Sequence, residues 1–81
     1  MSEYLVQIGR RTELRQEALK RKIQIKSHLV SLRLALDQLA DPADLQAERI
    51  LSLAGLLAEA ISDLQETQAK IKAINDHIGQ G

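Results

Sequence analysis

The sequence has no cysteine, phenylalanine or tryptophan, one tyrosine (Tyr4) and one proline (Pro42). Without cysteine there is no disulfide framework and no thiolate metal site. With a single aromatic residue, any core must be built from Leu, Ile, Val and Ala, a composition that packs helices rather than sheets or barrels. The four glycines are scattered, so no glycine-rich loop is available to cradle a phosphate. The longest uncharged run, Ile50 to Ala58, is too short to cross a bilayer, and no basic segment followed by an apolar run marks a signal peptide. A soluble cytoplasmic protein is the expectation, with no membrane span.

Pro42 divides the 81 residues into two arms of nearly equal length, both with helical patterning. Asp41 is suited to an N-cap with Pro42 at the first helical position, where a missing N–H costs nothing. As a pre-proline residue, Asp41 is also pushed out of the right-handed helical region, which ends the first helix near Ala40. The spacing predicts one all-α domain over 1–81: a helix over about 3–40, a turn at 41–42 and a helix over about 43–78. So short a connection makes the helices antiparallel. Residues 1–9 are read as a continuous but fraying start, since Leu5 and Ile8 keep helical spacing through Gly9.

In the first arm Ile25, Leu29, Leu32, Leu36 and Leu39 step by four, three, four and three, the spacing of a coiled-coil seam. Extended backward, that seam meets Lys22, Arg15 and Arg11, while Leu19, Ile23 and Val30 lie beside it and widen the apolar face. The second arm is more regular. Ile50, Leu57, Leu64, Ile71 and Ile78 recur every seven residues, interleaved with Leu53, Ala60, Thr67 and Ile74. Gly79 supplies a left-handed residue to end that helix.

Net charge is zero, but it is unevenly placed. Residues 1–40 hold Arg10, Arg11, Arg15, Lys20, Arg21, Lys22, Lys26 and Arg33 against Glu3, Glu13, Glu17 and Asp37, for +4. Residues 41–81 hold Arg49, Lys70 and Lys72 against Asp41, Asp44, Glu48, Glu59, Asp63, Glu66 and Asp76, for −4. The bland reading of the basic run is that it meets the acidic arm across the hairpin. The sharper one makes Arg10, Arg11, Arg15, Lys20, Arg21 and Lys22 an anion-binding surface for a nucleic-acid backbone or anionic lipid. No aromatic residues interleave with these cations for base stacking, and Glu13 and Glu17 interrupt them. The bland reading is therefore preferred.

Nothing points to catalysis, a cofactor, a metal or a small-molecule substrate. His28 and His77 lie on different arms and far apart in a hairpin. The serines sit on helix surfaces without a convincing base, and a two-helix rod has no concave pocket of its own.

The clearest functional signal is the run Ile50 to Ile61, with one charge (Glu59) in twelve residues. A helix apolar most of the way round calls for burial on more than one side. Leu51, Gly55 and Ala58 fall outside a simple hairpin seam, where small residues admit a second helix. The expected protein interface is Leu29, Leu32, Leu36, Leu51, Leu53, Leu57, Ala58 and Ile61. Two hairpins, or one hairpin and a different helical partner, would pack these apolar halves into a four-helix bundle. The expected function is a non-catalytic adaptor, assembly or chaperone-like module, with nucleic-acid binding as the alternative.

The stretch Leu34-Ala35-Leu36-Asp37-Gln38-Leu39-Ala40, the proline turn, and the later Lys70-Ile71-Lys72-Ala73-Ile74 resemble the helical hairpins of type III secretion needle subunits and their small co-chaperones. The resemblance covers roughly residues 30–78 and implies a subunit or chaperone of a secretion assembly. The chain departs from that pattern in its single turn proline, its long basic first arm and its lack of a terminal aromatic residue.

Overall fold

A computed structural model describes residues 2–79. It is an all-α hairpin: α1 spans Ser2–Ala35, a 3₁₀ turn spans Pro42–Asp44, and α2 spans Ala47–Ile78. The helices run antiparallel and form a rod of 63 × 19 × 14 Å. The first helix is continuous through Gly9, where an added Cβ would meet nothing within 4 Å.

The connection is longer than the sequence pattern predicts, and two aspartates explain why. The last helical bond runs from the Leu36 N–H to the Leu32 carbonyl at 2.9 Å. The Asp37 carboxylate then accepts the Leu39 N–H at 3.0 Å, and the Asp37 carbonyl accepts the Ala40 N–H at 3.3 Å. A short acidic side chain that bonds the backbone two residues on offers an alternative to the helix, so α1 ends before Leu36 rather than near Ala40. Asp41 is extended (ψ 131°) and accepts the Ala43 N–H at 2.9 Å, as an N-cap ahead of Pro42 should. What it caps is the 3₁₀ turn, not α2. Leu45 returns to extended backbone, and α2 starts at Ala47 behind Gln46, whose side chain makes no capping bond.

The far end of α2 matches expectation. Gly79 adopts φ 82° and donates its N–H to the Asp76 carbonyl at 3.2 Å, a left-handed cap that only glycine reaches without strain.

The seam on α2 follows the seven-residue repeat. Ala60, Thr67 and Ile74 are buried, and Ile50, Leu57, Leu64, Ile71 and Ile78 are half-buried. On α1 the seam is turned by one residue from the predicted phase. Leu14 and Ala18 are buried, and Arg11, Arg21, Ile25, His28, Leu32 and Ala35 are half-buried, whereas Leu29 and Leu36 are exposed. The reason lies in the open half. The predicted phase would press Lys22 and Arg15 against α2, at the cost of desolvating two cations. The adopted phase puts Leu14 in the place of Arg15, and Arg21, which reaches Asp63, in the place of Lys22, and gives up Leu29 and Leu36 to do so. Ile23 and Val30, expected beside the seam, lie on the exposed outer side of α1.

Polar rungs between the helices hold this register. Arg21 Nη1 lies 3.5 Å from Asp63 Oδ2, Arg11 Nη1 donates to Asn75 Oδ1 at 2.9 Å, and His77 Nε2 lies 3.9 Å from Glu3 Oε1. Each rung is partly or fully solvated, so each defines alignment more than it adds stability.

Candidate functional site

Burial is distributed against the grain of the sequence. Among the described residues, four of the five buried ones, Leu14, Ala18, Thr67 and Ile74, lie in the open half of the hairpin, and the fifth, Ala60, lies near its middle. No residue from 19 to 59 is buried, although that interval includes most of the chain's most apolar stretch. The whole chain exposes 6317 Å², where a compact chain of this length exposes about 4,900 Å². Its radius of gyration is 18.3 Å, against about 12 Å for a globular domain of equal length.

The rod has two broad faces, each with a solvent-open groove between the helices. One groove is lined by Arg15, Ala18, Leu19, Lys22, Gln68 and Ile71. Steps of seven residues carry this face from Lys22 to Leu29 and Leu36 on α1, and from Gln68 to Ile61 and Ala54 on α2. Just behind lie Lys26 and Arg33 on α1, and Ala58 and Leu51 on α2. The groove on the opposite face is lined by Arg21, Gln24, His28, Glu59 and Asp63 among others, and Glu13, Glu17 and Lys20 lie further along it.

The eight expected interface residues therefore separate into two sets. Leu32, Leu53 and Leu57 are half-buried in the hairpin's own seam. Leu29, Leu36, Leu51, Ala58 and Ile61 are exposed and share the first face; Leu51 is 75% exposed and Leu29 and Ile61 38% each. The second set is an apolar patch that the hairpin leaves uncovered.

The six cations expected to bind anions do not form one cluster. Arg11 and Arg21 turn into the seam, Arg11 to Asn75 and Arg21 to Asp63 and Glu17. Arg15 and Lys22 lie on the face with the apolar patch, and Lys20 lies on the opposite face beside Glu13 and Glu17. Arg10 is exposed. Of the six, Arg21 alone forms an ion pair with the acidic arm among the described residues. Sequence reasoning missed a sharper separation. The first face carries Arg15, Lys22, Lys26 and Arg33 from α1 and no carboxylate, while the second carries Glu13, Glu17, Glu59 and Asp63. The signal was available in the spacing, but only once the phase of α1 is known.

Among the described residues, no three His, Asp or Glu side chains gather closely enough to hold a metal ion, and no buried side-chain nitrogen or oxygen lacks a hydrogen-bond partner. No helix of the described residues is long and apolar enough to cross a membrane. No protein-family model matches this chain, and neither a curated protein nor a solved structure matches it.

Proposed function

We propose that this chain is a non-catalytic helical interaction module that works in the cytoplasm as an adaptor, assembly or chaperone-like protein and associates with itself through the apolar half next to the turn. One observation carries the reading: of the chain's most apolar segment, Ile50 to Ile61, the fold buries only Ala60 and leaves Leu51, Leu56 and Ile61 exposed. A fold that buries most of its core in its charged half and displays Leu29, Leu36, Leu51 and Ile61 in its apolar half gains most by packing that half against another helical surface. Ala54, Gly55 and Ala58 let a neighbouring helix come close.

Solution mass, followed by light scattering over a wide concentration range at two salt strengths, tests the reading. A dimer that persists in high salt is expected, because its cohesion is apolar. Ile61→Glu and Leu29→Glu should yield helical monomers, since both side chains are partly exposed in the free hairpin. A wild-type chain that stays monomeric throughout, or glutamate variants that assemble as the wild type does, would sink the proposal.

A second reading rests on the carboxylate-free face. Arg15, Lys22, Lys26 and Arg33 form no ion pair among the described residues and present a positive strip, interleaved with Leu19 and Leu29. If that strip binds a nucleic-acid backbone, affinity for DNA or RNA must fall steeply with added salt. Absence of binding at low ionic strength removes this alternative.

A further inference from the structure

We infer that the occupant of the carboxylate-free face is a second copy of this chain in one defined arrangement: both turns at the same end, the two-fold axis along the rod, and α1 packed against the partner's α2. The inference rests on the self-association reading above and specifies its geometry.

Area argues for a copy that covers the full face. The chain exposes roughly 1,400 Å² more than a compact chain of its length. Covering that excess on two chains hides roughly 2,800 Å² in total, which falls in the range of obligate homodimers. A single added helix, touching only part of a 63 Å rod, would leave much of the excess in place.

Charge selects the orientation. On this face the unpaired cations Arg15, Lys22, Lys26 and Arg33 all belong to α1. The corresponding strip of α2, from Leu51 to Gln68, carries Ala54, Ala58, Ile61, Gln65 and Gln68 and no charge. If two copies stack with their turns at opposite ends, a two-fold axis across the rod lays α1 on α1. Cations then oppose cations, a juxtaposition that works against association. If the turns lie at the same end, the axis runs along the rod and α1 lies on the partner's α2. The four helices then alternate +5, −2, +5, −2 around the bundle.

Shape agrees with charge. The Arg21–Asp63 rung sets which residues of the two helices share a height, and puts Leu29 level with Gly55. In the same-end arrangement Leu29 enters the space left by the partner's Ala54 and the partner's Ala58, large against small. At the heights of Lys22 and Arg15 the facing groups are the partner's Gln65 and the partner's Gln68, whose amide oxygens accept from cations without a full charge to desolvate. The same row thus packs leucines near the turn and satisfies cations farther out.

The chain has no cysteine, so single introduced ones can carry spin labels without competition. Ala43→Cys marks the turn and Ala69→Cys marks the exposed outer side of α2 in the open half. Dipolar distances are measured on each full-length labelled variant at about 100 µM, with light scattering on the same samples. The same-end arrangement gives turn labels within about 25 Å and Ala69 labels at about 30 Å. Opposite-end stacking of the apolar halves gives about 35 Å or more at the turn and over 40 Å at position 69, from a rise of about 1.5 Å per residue. Short distances at both positions are the expected result. A dimer with long distances overturns this arrangement and leaves self-association standing. A single-chain mass with no dipolar signal overturns both.

Discussion

Truncating Leu14 and Leu29 to alanine, one at a time and at two protein concentrations, separates what the hairpin covers from what it leaves open. Leu14 is 7% exposed in the seam of α1, and Leu29 is 38% exposed one residue off it. Leu→Ala removes about three carbons, worth about 2.4 kcal/mol at about 0.8 kcal/mol per buried CH₂. A cavity left in an enclosed core adds to this, but a two-helix rod can close around a lost side chain, so Leu14→Ala should cost about 2–3 kcal/mol. For an 81-residue chain with a total stability of roughly 4–12 kcal/mol, that is a severe loss. Leu29→Ala, with less surface to expose, should cost about 1–1.5 kcal/mol in the free hairpin. The assay is urea unfolding followed by helical circular dichroism, at a dilution where light scattering shows single chains and again where assembly is complete. The Leu14 cost should be the same at both concentrations. The Leu29 cost should rise toward about 2–3 kcal/mol as the patch becomes covered. If Leu29→Ala costs as much as Leu14→Ala in the dilute sample, α1 sits in the other phase, Leu29 belongs to the hairpin's own core, and the exposed patch does not exist.

Three further outcomes follow from local geometry. Gln46 precedes α2 without a side-chain capping bond, so Gln46→Ser or Gln46→Asp should stabilise the fold by about 0.5–1 kcal/mol, read as a higher urea midpoint at unchanged slope. Gly9 lies inside α1 with open space where a Cβ would go, so Gly9→Ala should stabilise by about 1 kcal/mol; Gly79→Ala should destabilise by a similar amount, because φ 82° disfavours any side chain. The Arg21–Asp63 pair is about one-third exposed on each side, so Asp63→Asn should cost less than about 1 kcal/mol, and added salt should shrink even that difference.

Much of the fold was legible because its strongest signals are periodic and punctuated. The seven-residue series from Ile50 to Ile78 faces α1 throughout, and Gly79 ends α2 where a glycine after the last periodic residue implies. The connection was less legible because Asp37 and Asp41 each have a local use. A sequence containing Asp-Pro directs attention to the cap ahead of the proline. It gives no notice that an aspartate four residues earlier will bond the Leu39 N–H and unwind the helix there. The result is a turn that holds its own hydrogen bonds and leaves α2 uncapped by any side chain.

The phase of α1 was the decisive quantity, and local pattern could not supply it. Read near the turn alone, Ile25, Leu29, Leu32 and Leu36 form the better apolar seam. Read along the whole helix, that seam ends in Lys22 and Arg15, and a helix cannot turn one end without turning the other. The chain settles the conflict in favour of the open half: Leu14 is buried at the seam position Arg15 would hold, and Arg21, 3.5 Å from Asp63, takes that of Lys22, while Leu29 and Leu36 are left outside. The same one-residue turn creates the candidate site: it moves Leu29 and Leu36 out of the seam and onto the face that bears Ala54, Ala58 and Ile61, together with Lys22 and Arg15. Core and interface are thus two consequences of one rotation. A substitution that made the other phase acceptable, such as Lys22→Leu with Arg15→Ala, should therefore weaken assembly without touching any residue of the apolar patch. Light scattering on that double variant would reveal the coupling, and full assembly at wild-type concentrations would show that the patch does not depend on the phase.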